Sequence, residues 1–488
     1  MEVLGSILGH ISDFMYTYIL IILLIGAGLY FTFRTKFVQF SMVPEALRVL
    51  GEKKRGQKEI SSFQALMIST ASRVGTGNIA GVAIAVASST AIGGYGAIFW
   101  MWLLALIGAA SAFIESTLAQ MYKSKIHGEY VGGPAYYIQN ALHNRKLGIL
   151  FSILLILCFA YGFNALQSFN AGSSLSYYIP DYVTSNWRYL VGGVLAILTA
   201  ISIFGGAQRI GKMVSMIVPI MAVGYMGLGF FVICKNITEV PHMFELIFEQ
   251  AFNVKAIFGG FAGSCVMQGI KRGLYSNEAG MCSAPNASAS ADVSHPVKQG
   301  LVQMLSVFID TLLICSTTAF MLLLSGVPIQ ENLTGMDFVQ AAVLNQIGEF
   351  GPLFITVAIF LFAFSSLIGN YFYTEANFKF ITKSKKALFI FRISCIIAVF
   401  GGALLDFTTI WTVADILMGL MAIVNLISIL LLGNKALKAL KDYRRQKKMG
   451  KEPVFRADEA GCGNPEIWSE EHAVKWESIE KECHKNKN

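Results

Sequence analysis

Between Thr70 and Asn78 the chain reads Thr-Ala-Ser-Arg-Val-Gly-Thr-Gly-Asn inside an otherwise apolar stretch. Gly75 and Gly77 permit backbone geometry that a helix interior resists, each at about 1 kcal/mol relative to alanine. Where such a helix unwinds, its carbonyl oxygens are freed for a hard cation and its amides for a carboxylate. Thr76 and Asn78 add side-chain oxygen and nitrogen at the same depth. Two plainer roles compete with that one. Gly77 and Gly81 form a small-xxx-small pair of the kind used in membrane helix packing. Gly75-Thr76-Gly77 with Gly81 is superficially like a dinucleotide fingerprint, but no strand precedes it. A ligand or ion site is favoured.

Charged side chains inside apolar runs are costly in a bilayer and are usually functional or paired. Arg73, Glu115, Lys271, Arg272, Glu278, Asp310, Glu375 and Asp415 are of this kind. Arg73, beside the glycine break, is a gate candidate with Glu278 or Glu375 as its acid. Asp310, inside a long apolar run, is a proton-carrier candidate. Structural ion pairing and helix-end placement are the alternatives for all eight. Gln167, in Phe163-Asn164-Ala165-Leu166-Gln167, carries an amide that must find either a ligand or a neighbouring helix.

These residues require long membrane-spanning helices around them. Of 488 residues, 55% are hydrophobic and 14% charged, with mean hydropathy +0.57; soluble domains run at about 25% charged. A bilayer core of about 30 Å needs about 20 apolar helical residues. Eleven candidates follow, at 15–33, 61–90, 95–122, 148–178, 188–206, 211–234, 256–275, 298–325, 352–378, 387–405 and 409–432. The 38 Lys and Arg fall between these runs rather than on a continuous stripe, which excludes nucleic-acid binding. Residues 1–13 hold Glu2 and Asp13 but no Lys or Arg, so the first run is expected to be a retained span. Cys158, Cys234, Cys265, Cys282, Cys315 and Cys395 lie in or beside apolar segments, which argues against a disulfide framework.

Basic residues recur in every second loop: Arg34 to Lys58, Lys123 to Lys146, Arg209 and Lys212, Lys271 and Arg272, and Lys379 to Lys386. By the positive-inside rule these loops are cytoplasmic, the N-terminus is outside and the tail from Asn434 is inside. Lys435 to Lys448 is expected to leave the membrane as a solvated, topology-fixing amphipathic helix. Setting the first span aside leaves five before the external segment 236–255 and five after, and an odd number per half inverts the second half. The expected divisions are 1–60, 61–235, 236–255, 256–433 and 434–488. Each half opens with a glycine-interrupted helix, at Val74 to Asn78 and at Gly259 to Ser264. Broken helices in corresponding positions point to a midplane substrate site in a secondary transporter.

The stretch Thr70 to Ala83, with Gly96-Ala97-Ile98-Phe99-Trp100-Met101-Trp102, Glu129-Tyr130-Val131-Gly132-Gly133-Pro134 and Ser276-Asn277-Glu278-Ala279-Gly280 running into Ser283-Ala284-Pro285-Asn286-Ala287, resembles the alanine or glycine:cation symporter family. His295 to Gly300 and Ala414 to Ala422 extend the resemblance, which covers about residues 10 to 450. It implies sodium- or proton-coupled uptake of small neutral amino acids across a prokaryotic plasma membrane. It also implies an all-α polytopic fold similar to the neurotransmitter:sodium symporters, a 5+5 inverted repeat preceded by one extra span, eleven spans in all.

By the same resemblance, the carbonyls of Ala71 and Val74 face a sodium ion, completed from Phe362-Ala363-Phe364-Ser365-Ser366 by Phe362, Ser365 and Ser366. Ser365 and Ser366 could equally bond back to their own helix. Asn78 resembles a side chain that helps to bind a second sodium in some relatives. The substrate carboxylate is expected at the amides of Gly75, Thr76 and Gly77, and its ammonium at carbonyls near Gly263 and Ser264. Phe261, Cys265, Met267 and Gln167 would set side-chain room. Where many members carry tryptophan after Ile-Gly, this chain has Asn370, so a substrate larger than alanine, such as glutamine, is a candidate. No ATP-binding or nucleophile motif is present, so an enzyme and an organic cofactor are not expected. A channel and a transporter-like nutrient sensor are the remaining alternatives.

Overall fold

A computed structural model describes residues 2–52, 60–87, 94–126, 128–179, 181–253, 264–330, 333–405, 407–460 and 466–485. Among the described residues the regular structure is helical apart from a short hairpin, Ser124–Ile126 paired antiparallel with Glu129–Val131, and two isolated bridges. Seven helices among the described residues are long and apolar enough to cross a membrane: Ser6–Arg34, Gly96–Met121, Arg145–Ser173, Gly206–Lys235, Pro296–Leu323, Phe350–Ile381 and Ile410–Lys448. The other candidate runs take different forms. The run 61–90 is a broken helix, 188–206 is the 17-residue helix Trp187–Ile203, 387–405 is Lys385–Gly402, and 256–275 is described only from Ser264 onward.

The first broken helix starts at a capping box, in which Ser61 Oγ accepts from the Gln64 amide at 3.1 Å and Gln64 Oε1 accepts from the Ser61 amide at 3.1 Å. It runs Ser62–Arg73, opens at Val74 and Gly75, makes a single 3₁₀ turn at Thr76–Asn78, and resumes as Ala80–Ala87.

The second half has an interruption among its described residues. Gly259 to Gly263 lie outside the described residues, and Ser264 caps the helix Cys265–Asn277 by accepting from the Met267 amide at 3.2 Å. The interruption follows that helix. Glu278, Gly280 and Cys282 hold φ of 53°, 88° and 70°, and helix returns only at Pro285–Ser290. Pro285 has no N–H to give a preceding turn, so it can open the second helical piece but not continue the first.

Lys271 and Arg272 are not loop residues. They lie inside Cys265–Asn277, where Lys271 Nζ meets Asp13 at 2.8 Å and Arg272 Nη2 meets Asp415 at 2.5 Å. Neutralisation by acids on distant helices replaces exposure at a membrane face. Described residues of three other basic segments are tied to neighbouring elements. Lys298 reaches Glu52 at 2.8 Å, Lys123 reaches the Ala291 carbonyl at 2.8 Å, and Lys379 reaches Glu129 at 3.0 Å.

The longest described helix, Phe407–Lys448, has 42 residues, about 63 Å at 1.5 Å per residue and twice the thickness of a bilayer core of about 30 Å. Its distal turns are not solvated all round: Ala436, Ala439, Leu440 and Tyr443 are buried, and Tyr443 donates to Glu45. Beyond it the chain folds back. The Phe455 amide donates to the Ser294 carbonyl at 2.9 Å, and Trp468 Nε1 donates to the Gln120 carbonyl at 2.8 Å. Phe455 and Trp468 pack edge to face at 5.3 Å. Apolar aromatics on a polar tail find burial here that a free helix would not offer.

Candidate functional site

The two breaks meet in the core. At the first, the Gly75 amide donates to Asn78 Oδ1 at 3.1 Å and the Thr76 amide donates to Gln167 Oε1 at 3.0 Å. Asn170 Nδ2 donates to Thr76 Oγ1 at 2.9 Å. A Cβ on Gly75 would overlap Ser366 Oγ, and one on Gly77 would overlap the Tyr275 ring. Gly81 differs: the nearest atom to a Cβ there is at 3.7 Å, ordinary contact. Gly75 and Gly77 are thus required by close approach of side chains, not by a helix seam through Gly81.

Ser366 Oγ donates to the Ala71 carbonyl at 2.9 Å, so two of the expected sodium ligands meet directly. Ser365 instead donates to the Phe362 carbonyl of its own helix at 3.0 Å and lies 3.6 Å from Met221 Sδ. Phe362 and Val74 are fully buried.

Gln167 also links to Tyr275, donating through Nε2 to the Tyr275 hydroxyl at 3.4 Å. Tyr275 packs edge to face on Phe163 at 4.7 Å and against Trp411 at 5.1 Å. Above that ring sits the Arg272 guanidinium, 4.5 Å from the Trp411 centroid and paired to Asp415. Met267 and Cys265 are not brought to this cradle. Met267 precedes Tyr275 by about 12 Å of helix, and its sulfur accepts from Thr17 at 3.5 Å. The Ser264 hydroxyl is engaged as a cap, and Phe261 and Gly263 lie outside the described residues.

On the second break, Arg73 Nε lies 3.7 Å from Glu278 Oε2, and Arg73 also donates to Ser306. Glu278 accepts from Ser72 Oγ at 3.1 Å and from Ser283. Ser72 further meets Asn370 Oδ1 at 2.6 Å, and Asn370 Nδ2 donates to Asn164 Oδ1 at 2.9 Å. Glu375 is not a partner of Arg73. It accepts from Tyr371 and pairs with Lys379 at 2.8 Å and Arg392 at 3.1 Å. An open cleft beside it is lined by Glu129, Asn286, Ser290, Phe372, Glu375 and Lys379.

Asp310 is brought to the first break by a widened π-helical turn, Ile309–Cys315. Asn78 Nδ2 donates to Asp310 Oδ1 at 2.6 Å and approaches Cys315 Sγ at 3.2 Å, while Thr318 Oγ1 donates to the Asn78 carbonyl at 2.6 Å. Such turns recur at functional positions because they turn a side chain that a regular helix would aim elsewhere. Tyr275, Asn170, Asn164 and Thr318 carry no linear signal that separates them from packing residues. Chemically, the cradle offers backbone amides that a carboxylate can take in place of the Gln167 and Asn78 amide oxygens, and neutral carbonyl and hydroxyl oxygens for a hard monovalent cation.

The chain is matched over residues 1–457 by the model of a family described as the sodium:alanine symporter family. It is 47% identical over 459 residues to a probable sodium/glutamine symporter of Bacillus subtilis, covering 94% of each chain. It is 48% identical over 468 residues to an amino-acid carrier protein of the same organism, covering 96% of this chain and 98% of the relative. Among solved structures, a mutant of the Eremococcus coleocola manganese transporter aligns with TM-score 0.51 at 12% identity, over 83% of this chain and 92% of that one. That likeness concerns the fold alone.

Proposed function

Because the chain belongs to the sodium:alanine symporter family, a family of membrane transporters and not of enzymes, we propose that it carries a small neutral amino acid into the cell with sodium by alternating access. The carrying observation is the Ser366 to Ala71 contact at 2.9 Å beside Gly75. It joins a hydroxyl of one helix to the last carbonyls of another just where that other unwinds, the arrangement in which transporter helices hold an ion and a substrate side by side. Sodium is held by the carbonyls of Ala71, Val74 and Phe362 with Ser366 and Ser365. The substrate carboxylate takes the Thr76 amide in competition with Gln167 Oε1, and Gly77 leaves room under Tyr275. Alanine, glycine and glutamine are the candidate substrates, and the polar Ser72–Asn370–Asn164 chain favours an amide side chain. One relative's name also specifies glutamine. The ammonium is met at the second break, near Glu278, rather than at Gly263 and Ser264.

Eleven spans in a 5+5 inverted repeat, with the N-terminus outside and the tail inside, account for the meeting of the two breaks. Among the described residues, Glu129 and Lys379 line one cleft with Ile60 and Gln208, and Lys123 meets Ala291, which bridges to Ile60; this meeting of basic segments supports that orientation. Arg272–Asp415 with Trp411 and Tyr275 then forms the outer closure, and Asp310 beside Asn78 is the second place where a cation or proton can be coupled. The test is uptake of labelled alanine and glutamine into proteoliposomes under imposed gradients. Accumulation driven by inward sodium and abolished by a sodium ionophore is expected; uptake indifferent to both sodium and proton gradients would overturn symport.

A further inference from the structure

Glu115 is a buried acid with no part in the binding of sodium or substrate. It lies on Gly96–Met121, six residues before that helix ends, and is fully buried. Asn425 Nδ2 donates to its Oε2 at 3.1 Å, and its Oε1 has around it only the weak thiol donor of Cys282 and the Gly280 backbone. Among the described residues no basic side chain forms an ion pair with it, because the cations on the surrounding helices are engaged elsewhere. Arg73 is with Glu278, Lys271 with Asp13, Arg272 with Asp415, and Lys298 with Glu52 and Glu452. The titratable groups facing the carboxyl are Cys282 and Tyr137, and Arg73 is the cation whose charge reaches it. The Cys282 thiol and the Gly280 backbone also bear on the carboxyl, but with no cation paired to it an ionised carboxylate is more costly at this depth than the neutral acid.

The neighbours indicate what a proton here governs. The same Asn425 Nδ2 donates to the Gly280 carbonyl at 2.9 Å. Asn425 Oδ1 accepts from Tyr137, whose hydroxyl also lies 2.9 Å from Cys282 Sγ. Gly280 and Cys282 are left-handed residues of the second break, and for Cys282 that conformation is strained. Glu115 therefore backs the break from behind, joined to it through Asn425 and beside the Gly280 backbone itself, while Arg73 and Glu278 face it from the front.

We propose that Glu115 is a proton-binding site. It holds a proton while Asn425 bridges it to Gly280, and release of that proton to water leaves a carboxylate that draws Asn425 off the Gly280 carbonyl and loosens the Glu278–Ala284 break. Protons thereby have an entry to the transport cycle at the break of the second half, separate from Asp310 and the sodium ligands at the first. The link to the cycle rests on the symport assignment; the occupancy of the site does not.

Infrared difference spectroscopy of the purified full-length protein reads occupancy directly. The carbonyl stretch of a protonated carboxylic acid is expected at neutral pH in the wild type, shifted by deuterium exchange, and lost in Glu115→Gln; identical spectra for the two proteins overturn the site. If Glu115→Gln is not monodisperse, Asn425→Ala serves: removing the donor to Oε2 should move the pH at which the wild-type band disappears, and an unmoved midpoint equally overturns it. In proteoliposomes at saturating sodium, wild-type uptake should change several-fold between about pH 5 and pH 9, and Glu115→Gln should flatten that profile. A variant profile parallel to the wild type refutes the link to the cycle. The infrared result requires no transport, so its failure is separable from failure of symport.

Discussion

Ser366 Oγ reaches the Ala71 carbonyl across 2.9 Å, whereas its neighbour Ser365 spends its hydroxyl on the Phe362 carbonyl of its own helix. The two serines are therefore unequal. We expect Ser366→Ala to raise the sodium concentration for half-maximal uptake about tenfold or more, the equivalent of about 1.4 kcal/mol, and Ser365→Ala to raise it less. Sodium titration of uptake in proteoliposomes decides this, and equal shifts for both variants would contradict the ligand geometry.

Gly75→Ala and Gly77→Ala should each abolish substrate binding, because the added methyl overlaps Ser366 in one case and the Tyr275 ring in the other. Gly81→Ala should retain at least half of wild-type uptake, since its methyl meets only ordinary contacts at 3.7 Å. A packing role for the glycines predicts the reverse emphasis, with Gly81→Ala as damaging as Gly77→Ala. Binding measured by stabilisation of the purified protein against heat separates the two.

Asn370 sits between Ser72 and Asn164, at 2.6 and 2.9 Å. Replacing it by tryptophan breaks this polar chain and fills the space beside it. Asn370→Trp is expected to lose glutamine uptake by a larger factor than alanine uptake. Unchanged uptake of both would remove Asn370 from the specificity determinants.

The Arg272–Asp415 pair is buried, with side chains 5% and 7% exposed. Removing one member leaves the other uncompensated, a loss of about 3–5 kcal/mol. Asp415→Asn should lower the unfolding midpoint of the detergent-solubilised protein by several degrees. The double variant Arg272→Met with Asp415→Leu should recover part of the loss. Single variants as stable as the wild type would show that the pair is not desolvated.

Acid should release the tail. Burial pushes the Glu45 carboxyl up, but hydrogen bonds from Arg48 and Tyr443 and the charges of Arg48 and Lys447 bring it down to about 2. Glu452 is also lowered, by Lys298 and Arg48 against the effect of burial. Burial holds His295 and His472 below the usual imidazole range, against the pull of Asp442 and Asp292. All four groups bind protons more weakly in the docked chain than in the free one, so docking weakens as pH falls. The histidines contribute first, below about 6.5, and the carboxylates below about 4. Limited proteolysis should cleave the tail faster at about pH 5 than at about pH 7.5. A rate independent of pH would contradict the assignment.

The first break is legible in the sequence because glycines and an asparagine interrupt an apolar run locally, and the chemistry of Thr70 to Asn78 depends on its own backbone. The interruption at Glu278 to Ala284 has a signal as well, since Asn277-Glu278 followed by Gly280 and Pro285 holds a stop and a start for helix, but the glycines at 259–263 draw the eye first. Pairings across 143 and 258 residues leave no local trace. Arg272 and Lys271 therefore read as loop charges while their partners, Asp415 and Asp13, are on other helices. Tyr275 is invisible for a different reason: an aromatic on a buried helix has the same one-dimensional signature whether it packs or covers a ligand. The docked tail does carry a signal, Trp468, His472 and Trp476 at helical spacing, which the charges around it obscure.

The unbroken helix Phe407–Lys448 carries Asp415 near its start and Tyr443 near its end, about 42 Å apart along the axis. One end is gripped by Arg272, the other by Glu45 and the refolded tail. A rod held at both ends transmits torque. In the proposed orientation, parting of the Arg272–Asp415 pair would therefore load the contacts of Tyr443 at the far end of the same rod.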